Sequence, residues 1–273
     1  MKDNECVEFL QWALPRLHMR WPGFRKVRGQ VCKRVVRRMQ QLHINSVARY
    51  CDYLEKHPQE WASLDALSRI TISRFYRDKA VFTFLEVTVL PTLVRQALVR
   101  HQSRLRVWSA GSGSGEEPYS MALMWGLRLF PLYRQMGFEV IATDVDPEMN
   151  RRAEQACYPY SSIKGLPEEL REQAFIQQDE TFSIKPEFRG FVEFIEQDIR
   201  SERPSGKFDL VLCRNLVFTY FDEAQQRRIL DQISSTIASG GAFVIGIDED
   251  LPKSIPEFSP WSDELRVFRK NVV

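Results

Sequence analysis

The chain has 273 residues, 44% of them hydrophobic and 27% charged, enough apolar material for a full α/β core with a smaller unit beside it. A formal net charge of +2 is too small to demand a nucleic-acid partner, so only the distribution of charge can argue for binding. No apolar run approaches the roughly 18 residues of a membrane span, which argues against membrane insertion. The start, with Asp3, Glu5 and Glu8, reads as an unprocessed cytoplasmic chain. Cys6, Cys32, Cys51, Cys157 and Cys213 include no C-x-x-C pair, so neither a disulfide framework nor a metal site is expected and a reducing compartment fits.

Residues 1–99 read as a helical, basic domain plus linker. Apolar positions recur at three- and four-residue spacing, as at Val31, Val35, Val36, Met39 and Leu42. Between Phe9 and Cys51 there is no acidic residue, while Arg16, Arg20, Arg25, Lys26, Arg28, Lys33, Arg34, Arg37, Arg38 and Arg49 are basic. Lys33 and Arg37, like Arg34 and Arg38, lie one turn apart, on a side expected opposite the valines. Such a stripe is either a solvated helix face or a docking surface for an acidic partner.

Residues 100–273 read differently. A β-prone run at 105–110 ends in Gly111-Ser112-Gly113-Ser114-Gly115, and further strands are predicted at 139–143, 192–196, 208–213, 242–247 and 266–270. Helical patterns at 117–129 and 147–156 separate the early ones, and this alternation builds a parallel sheet covered by helices. Pro159, Gly165, Pro167 and Pro186 interrupt it at residues 158–189, where an insertion is predicted, partly helical and partly a small antiparallel unit.

The glycine loop lets backbone approach a ligand closely and turn into a helix. A phosphate-binding loop would leave the helix N-terminus open to an anion, but here Glu116 and Glu117 occupy it. Carboxylates there repel pyrophosphate and suit a cation such as the ammonium and sulfonium of S-adenosylmethionine; alternatively they only complement the helix dipole. Asp144, at the tip of the second strand, can accept ribose hydroxyls, while Asp146 before Pro147 reads as a helix N-cap. Asp198 follows the third strand, within reach of an adenine amino group. After the fourth strand comes Arg214-Asn215-Leu216-Val217-Phe218-Thr219-Tyr220-Phe221-Asp222, where an acceptor would meet the methyl group. Enzymes acting on base amines often carry Asn/Asp-Pro-Pro-aromatic there; Asn215-Leu216-Val217-Phe218 argues against that substrate. Phe218 and Phe221 read as packing, and Tyr220, with a polar end, as the substrate contact.

These motifs together resemble the CheR-type chemotaxis receptor methyltransferases over nearly the whole chain. The carriers are Gly115-Glu116-Glu117-Pro118-Tyr119-Ser120, Ser73-Arg74-Phe75-Tyr76-Arg77-Asp78, Thr143-Asp144-Val145-Asp146 and Cys213-Arg214-Asn215. The resemblance implies a Rossmann-like class I methyltransferase sheet of the α/β class, with a small N-terminal helical domain and a small inserted antiparallel subdomain. It implies a cofactor, S-adenosylmethionine, surrounded by Ser73, Arg77, Ala110, Glu116, Asp144, Asp198 and Asn215 together with Gly111, Gly113 and Gly115. It places Arg77, Arg214 and Tyr220 at the reaction centre, and it implies an acidic helical receptor on the basic front domain. Three features depart from the family pattern. The segment from Arg214 to Asp222 holds one residue more, the loop is richer in glycine, and Gly246-Ile247-Asp248-Glu249 replaces Gly-His-Ser-Glu.

A glutamate acceptor is already ionised near neutral pH, so no general base is required. The competing readings are methylation of another protein or a small carboxylate, a non-catalytic module that binds S-adenosylmethionine, and a nucleic-acid binder using residues 16–49. The last has only Trp21 and Phe24 as interleaved aromatics and ranks lowest.

Overall fold

Helical spacing at the front of the chain produces helices at Asp3–Ala13, Arg28–Gln41, Val47–Lys56 and Glu60–Ser68. The structure is a computed structural model that describes residues 1–253 and 255–272. These helices belong to a unit comprising Met1–Thr71 and Thr219–Gln226. Val31, Val35 and Met39 are buried with Leu10, Leu14, Tyr50, Leu54 and Leu64, so the predicted apolar face is the core of this unit. Inside it lies a carboxylate. Glu60, 3% exposed, accepts hydrogen bonds from Arg38 Nε and Nη2 (2.9 and 2.7 Å) and from the Tyr50 hydroxyl (3.0 Å).

That ion pair divides the basic stripe. Arg38 turns inward to Glu60, Arg34 donates to the carbonyls of Leu67 and Arg69, and Arg28 pairs with Asp3 at 2.8 Å. Lys33 and Arg37 are exposed. The reading of the cysteines also needs correction: Cys6 and Cys32 form a disulfide, with Cα atoms 6.0 Å apart. Sequence-adjacent spacing gives no hint of it, because the packing of Asp3–Ala13 against Arg28–Gln41 is what brings together cysteines 26 residues apart.

The second unit runs from Ile72 to Phe218 and resumes at Arg227. Its strands are β1 (Arg104–Ala110), β2 (Gly137–Asp144), β3 (Cys157–Pro159), β4 (Phe175–Gln178), β5 (Thr181–Ile184), β6 (Val192–Glu196), β7 (Phe208–Leu212), β8 (Ile237–Val244), β9 (Phe258–Ser262) and β10 (Val267–Lys270). Seven of them form one sheet in the order β6-β2-β1-β7-β8-β10-β9, parallel as far as β8 and antiparallel where β10 joins β8 and β9. The order reverses direction at β1, and a crevice opens beyond the carboxyl ends of strands at such a switch point. β9 has no counterpart in the predicted strands. It contains Pro260, which cannot donate to a ladder, and it occupies the sheet edge, where that is tolerated.

The insertion forms its own three-stranded antiparallel sheet, β3-β5-β4, with short helices at Tyr160–Ile163, Glu168–Ala174 and Pro186–Arg189. The stretch Lys79–Val99 is long and apolar enough to cross a membrane by composition. Val81, Phe82, Leu85, Val89, Leu90, Leu93, Val94 and Ala97 nevertheless lie in the core cluster of this unit with Val107, Leu210 and Val244, so it is a core helix. The sequence reading grouped it with the front helices; its packing is with the sheet.

Arg38 holds the Glu60 carboxyl below its ordinary value of 4.5, against the opposing effect of burial. A depressed folded-state pKa contributes stability that is present above the unfolded value and lost as pH falls through the folded one. In denaturant titrations, the stability advantage of the wild type over Glu60→Gln is expected to shrink as pH falls below about 5, through the unfolded carboxyl's range and on through the lowered folded-state value. An advantage independent of pH would contradict the pairing.

Candidate active site

Ala110 ends β1 in register with Thr143 of β2, and Asp144 is level with Glu196 of β6, so three strand ends meet along one edge. The glycine loop is stitched across this edge. The N–H groups of Gly111 and Ser112 donate to the Thr143 carbonyl (2.8 and 3.0 Å), and Gly113 donates to Asp144 Oδ2 (2.8 Å). Gly111, Gly113 and Gly115 all have positive φ, 74°, 55° and 91°, which is what turns the chain from strand to helix here. At Gly115 a Cβ would lie 2.9 Å from Ala153 Cβ and 3.0 Å from the Tyr158 hydroxyl. That hydroxyl, from β3 of the insertion, donates to the Ser114 carbonyl at 2.8 Å, and burial pushes its pKa well above the usual value.

The two neighbouring acids have different fates. Glu117 has both oxygens engaged, its Oε1 accepting from the Ser109 hydroxyl (2.8 Å) and its Oε2 from Arg214 Nη1 (3.1 Å). Glu116 is buried at 3% exposure, and the Ser114 hydroxyl (2.9 Å) is the single hydrogen-bond donor to its carboxylate among the described residues. Asp144 accepts from the Asp146 N–H through Oδ1 (2.9 Å), while Asp146 caps the helix Pro147–Gln155 by accepting from Glu148 N–H. Asp198 is gripped by Arg200, whose Nη2 donates to Oδ2 at 2.7 Å and whose backbone N–H donates to Oδ1 at 2.9 Å.

Arg214 is the hub of the edge. Its side chain is 3% exposed, and its guanidinium reaches Glu117, Asp78 Oδ2 (2.5 Å) and the Arg77 carbonyl (3.0 Å). The loop carrying Ser73 and Arg77 is held a second time: Tyr76 N–H donates to Ser120 Oγ (3.1 Å), which itself donates to the Glu116 carbonyl (2.6 Å). Arg77 Nη1 donates to the Ile72 carbonyl at 2.8 Å. Asn215 takes a left-handed φ of 56°, and its N–H donates to Glu249 Oε2 (2.8 Å). Glu249 stood in the sequence only as part of a departure from the family pattern, and its inward turn toward Asn215 was not anticipated.

Tyr220 belongs to the helical unit. The chain passes into the helical unit for Thr219–Gln226, where the Tyr220 carbonyl accepts from Arg20 N–H (2.8 Å) and its ring lies 4.9 Å from that of Phe24. The Thr219 carbonyl accepts from Arg20 Nε (3.1 Å) and lies close against Gly23, where a Cβ would clash with it.

The edge suits S-adenosylmethionine. It offers a buried acid with spare acceptor capacity, a loop that admits backbone approach, and buried polar atoms, among them Ser112 Oγ, Gln197 Oε1 and Arg214 Nε, with no partner among the described residues. A reversing parallel sheet with an antiparallel end, a glycine loop and acidic strand ends define an α/β methyltransferase of the S-adenosylmethionine-dependent class. Residues 71–265 match the family model described as "CheR methyltransferase, SAM binding domain", and residues 26–65 match "CheR methyltransferase, all-alpha domain". The chemotaxis protein methyltransferase of Listeria innocua is 32% identical over 189 residues, 68% of each chain. That of Borreliella burgdorferi is 32% identical over 209 residues, 74% of this chain and 73% of the relative. That of Salmonella typhimurium is 28% identical over 240 residues, 85% and 79% respectively. The chain belongs to the CheR methyltransferase family.

If Arg214 serves as a shared counter-ion, Arg214→Met and Glu117→Gln must be coupled. A double-mutant cycle read by denaturant unfolding is expected to give an interaction energy of about 1–3 kcal/mol, and additive costs would show that the pair contributes nothing.

Proposed function

We propose that this methyltransferase esterifies glutamate side chains of an acidic, helical receptor protein in the cytoplasm. The helical unit docks the acceptor and the α/β unit holds the cofactor. The observation that carries the reading is the unequal fate of Glu116 and Glu117: Arg214 neutralises one, and the other keeps a buried carboxylate with acceptor capacity for a ligand ammonium. In this reading Glu116 holds the ammonium and Asp144 the ribose hydroxyls. Asp198 receives the adenine amino group, and the backbone from Ala110 through Gly111, Gly113 and Gly115 lies along the ligand. Ser73, Arg77 and Asn215 close the cofactor's amino-acid end, with the Arg77 guanidinium facing its carboxylate.

When bound, S-adenosylmethionine supplies an electrophilic methyl group on a sulfonium. A glutamate carboxylate is already anionic, so the protein's task is to strip water from it, hold one oxygen in line with the S–CH₃ bond and keep competing water out. Transfer of that methyl group to the carboxylate would leave a methyl ester and a neutral thioether, so no side chain has to carry a proton. Tyr220 orients the acceptor oxygen through its hydroxyl. Arg214, with both terminal nitrogens engaged, supports the loop from within. Docking falls to the outward part of the basic stripe, with Arg25, Lys26, Lys33 and Arg37 exposed and Arg38 excluded by its pairing with Glu60.

Radiolabelled methyl groups transferred to a receptor's cytoplasmic helices are expected to be released as methanol in base, because esters hydrolyse where N-methyl groups do not. Tyr220→Phe is expected to lower kcat about tenfold to a hundredfold with S-adenosylhomocysteine affinity nearly unchanged. Base-stable label would overturn the ester assignment, and unchanged turnover would remove the tyrosine from the mechanism.

A further inference from the structure

We infer that Glu249 is a positioning residue for methyl transfer: its buried carboxylate, with the bare face of Gly246, fixes Asn215 in the conformation that presents it to the cofactor. The inference rests on the proposed role of Asn215 at the cofactor and adds the device that sets it. Glu249 is 2% exposed, and one oxygen, Oε2, accepts both the Gly246 N–H (2.7 Å) and the Asn215 N–H (2.8 Å). The Glu249 N–H donates back to the Gly246 carbonyl (2.9 Å), so the turn after β8 closes on itself before it reaches Asn215.

Two constraints act on Asn215 at once. Its φ of 56° is a left-handed conformation that asparagine tolerates better than most residues but does not prefer, and a carboxylate bound to its N–H favours that conformation over an extended one. The Asn215 side chain meanwhile lies over Gly246. A Cβ there would fall 2.5 Å from Asn215 Nδ2, 3.0 Å from its Cγ and 2.9 Å from Glu249 Oε2, so any side chain at 246 would have to displace the Asn215 amide or the Glu249 carboxylate. The two strand ends are kept in step because Cys213 N–H donates to the Val244 carbonyl at 2.9 Å. Arg214 and Asn215 are thus pinned by acids from separate segments, the first through its side chain by Asp78 and Glu117, the second through its backbone by Glu249. The methyl-transfer chemistry needs no base, so a buried acid at this place is accounted for by geometry.

The test uses the full chain, with calorimetric S-adenosylhomocysteine binding, steady-state kinetics and thermal melts on the same samples. Glu249→Ala is expected to raise the dissociation constant about tenfold or more and to lower kcat. Glu249→Gln, whose amide oxygen can accept both N–H groups, is expected to restore affinity to within about threefold of wild type. In an Asn215→Ala background the Glu249→Ala penalty should largely vanish, because the residue it positions is gone. A lowered melting temperature with wild-type affinity in Glu249→Ala would overturn the inference, as would a full Glu249→Ala penalty persisting in the Asn215→Ala background. If Glu249→Ala does not fold, Gly246→Ala carries the test: weaker binding is expected, and wild-type binding overturns it. Asn215→Ala with unchanged affinity would instead remove the proposed cofactor role of Asn215, an outcome separate from the others.

Discussion

A guanidinium that is almost wholly buried has to be paired, and the arrangement of the active edge follows from how Arg214 meets that requirement. It draws Asp78 from the loop after Ser73, Glu117 from the helix after the glycines and the Arg77 carbonyl to one point beside the end of β7. Three segments far apart in sequence are thereby set against each other. Removing the cation would leave two acids without their counter-charge at a partly buried edge, a far larger cost than losing a surface pair.

The same pairing sorts the charges. Two adjacent glutamates at a helix start look equivalent in the sequence, yet Arg214 pairs with Glu117 while the Glu116 carboxylate accepts from the Ser114 hydroxyl. Asp144 is turned toward the backbone of the glycine loop, and Asp198 is braced by Arg200. A phosphate approaching this edge would meet carboxylates whose nearby cations are already engaged, whereas a sulfonium nucleoside with an ammonium end meets acceptors. The inserted sheet contributes as well, since Tyr158 reaches from β3 to the Ser114 carbonyl and so supports the loop from outside the main sheet.

Much of the fold was legible because it depends on local pattern. Alternating strands and helices, the glycine turn and proline-marked insertion are written in consecutive residues, and the acids after β1, β2 and β6 could be located by their place at strand ends. What escaped depends on long-range pairing. The inward turn of Arg38 follows from the helix Glu60–Ser68 packing against Arg28–Gln41, which no charge count reveals. The Cys6–Cys32 bridge likewise arises from helix packing. β9 was hidden because Pro260 reads as a strand breaker until the strand is known to lie at an edge. Tyr220 reads as continuous with Arg214, yet its backbone and ring are held by Arg20 and Phe24 of the helical unit.

Carboxylates at the strand ends suit this edge to a cationic nucleoside rather than a phosphorylated one. Calorimetric competition on the purified chain tests it most directly, with S-adenosylmethionine, S-adenosylhomocysteine, NAD and ATP titrated under one set of conditions. The two sulfur nucleosides are expected to bind and to displace each other, while NAD and ATP compete with neither. Tighter binding of NAD or ATP, with no response to S-adenosylhomocysteine, would contradict it.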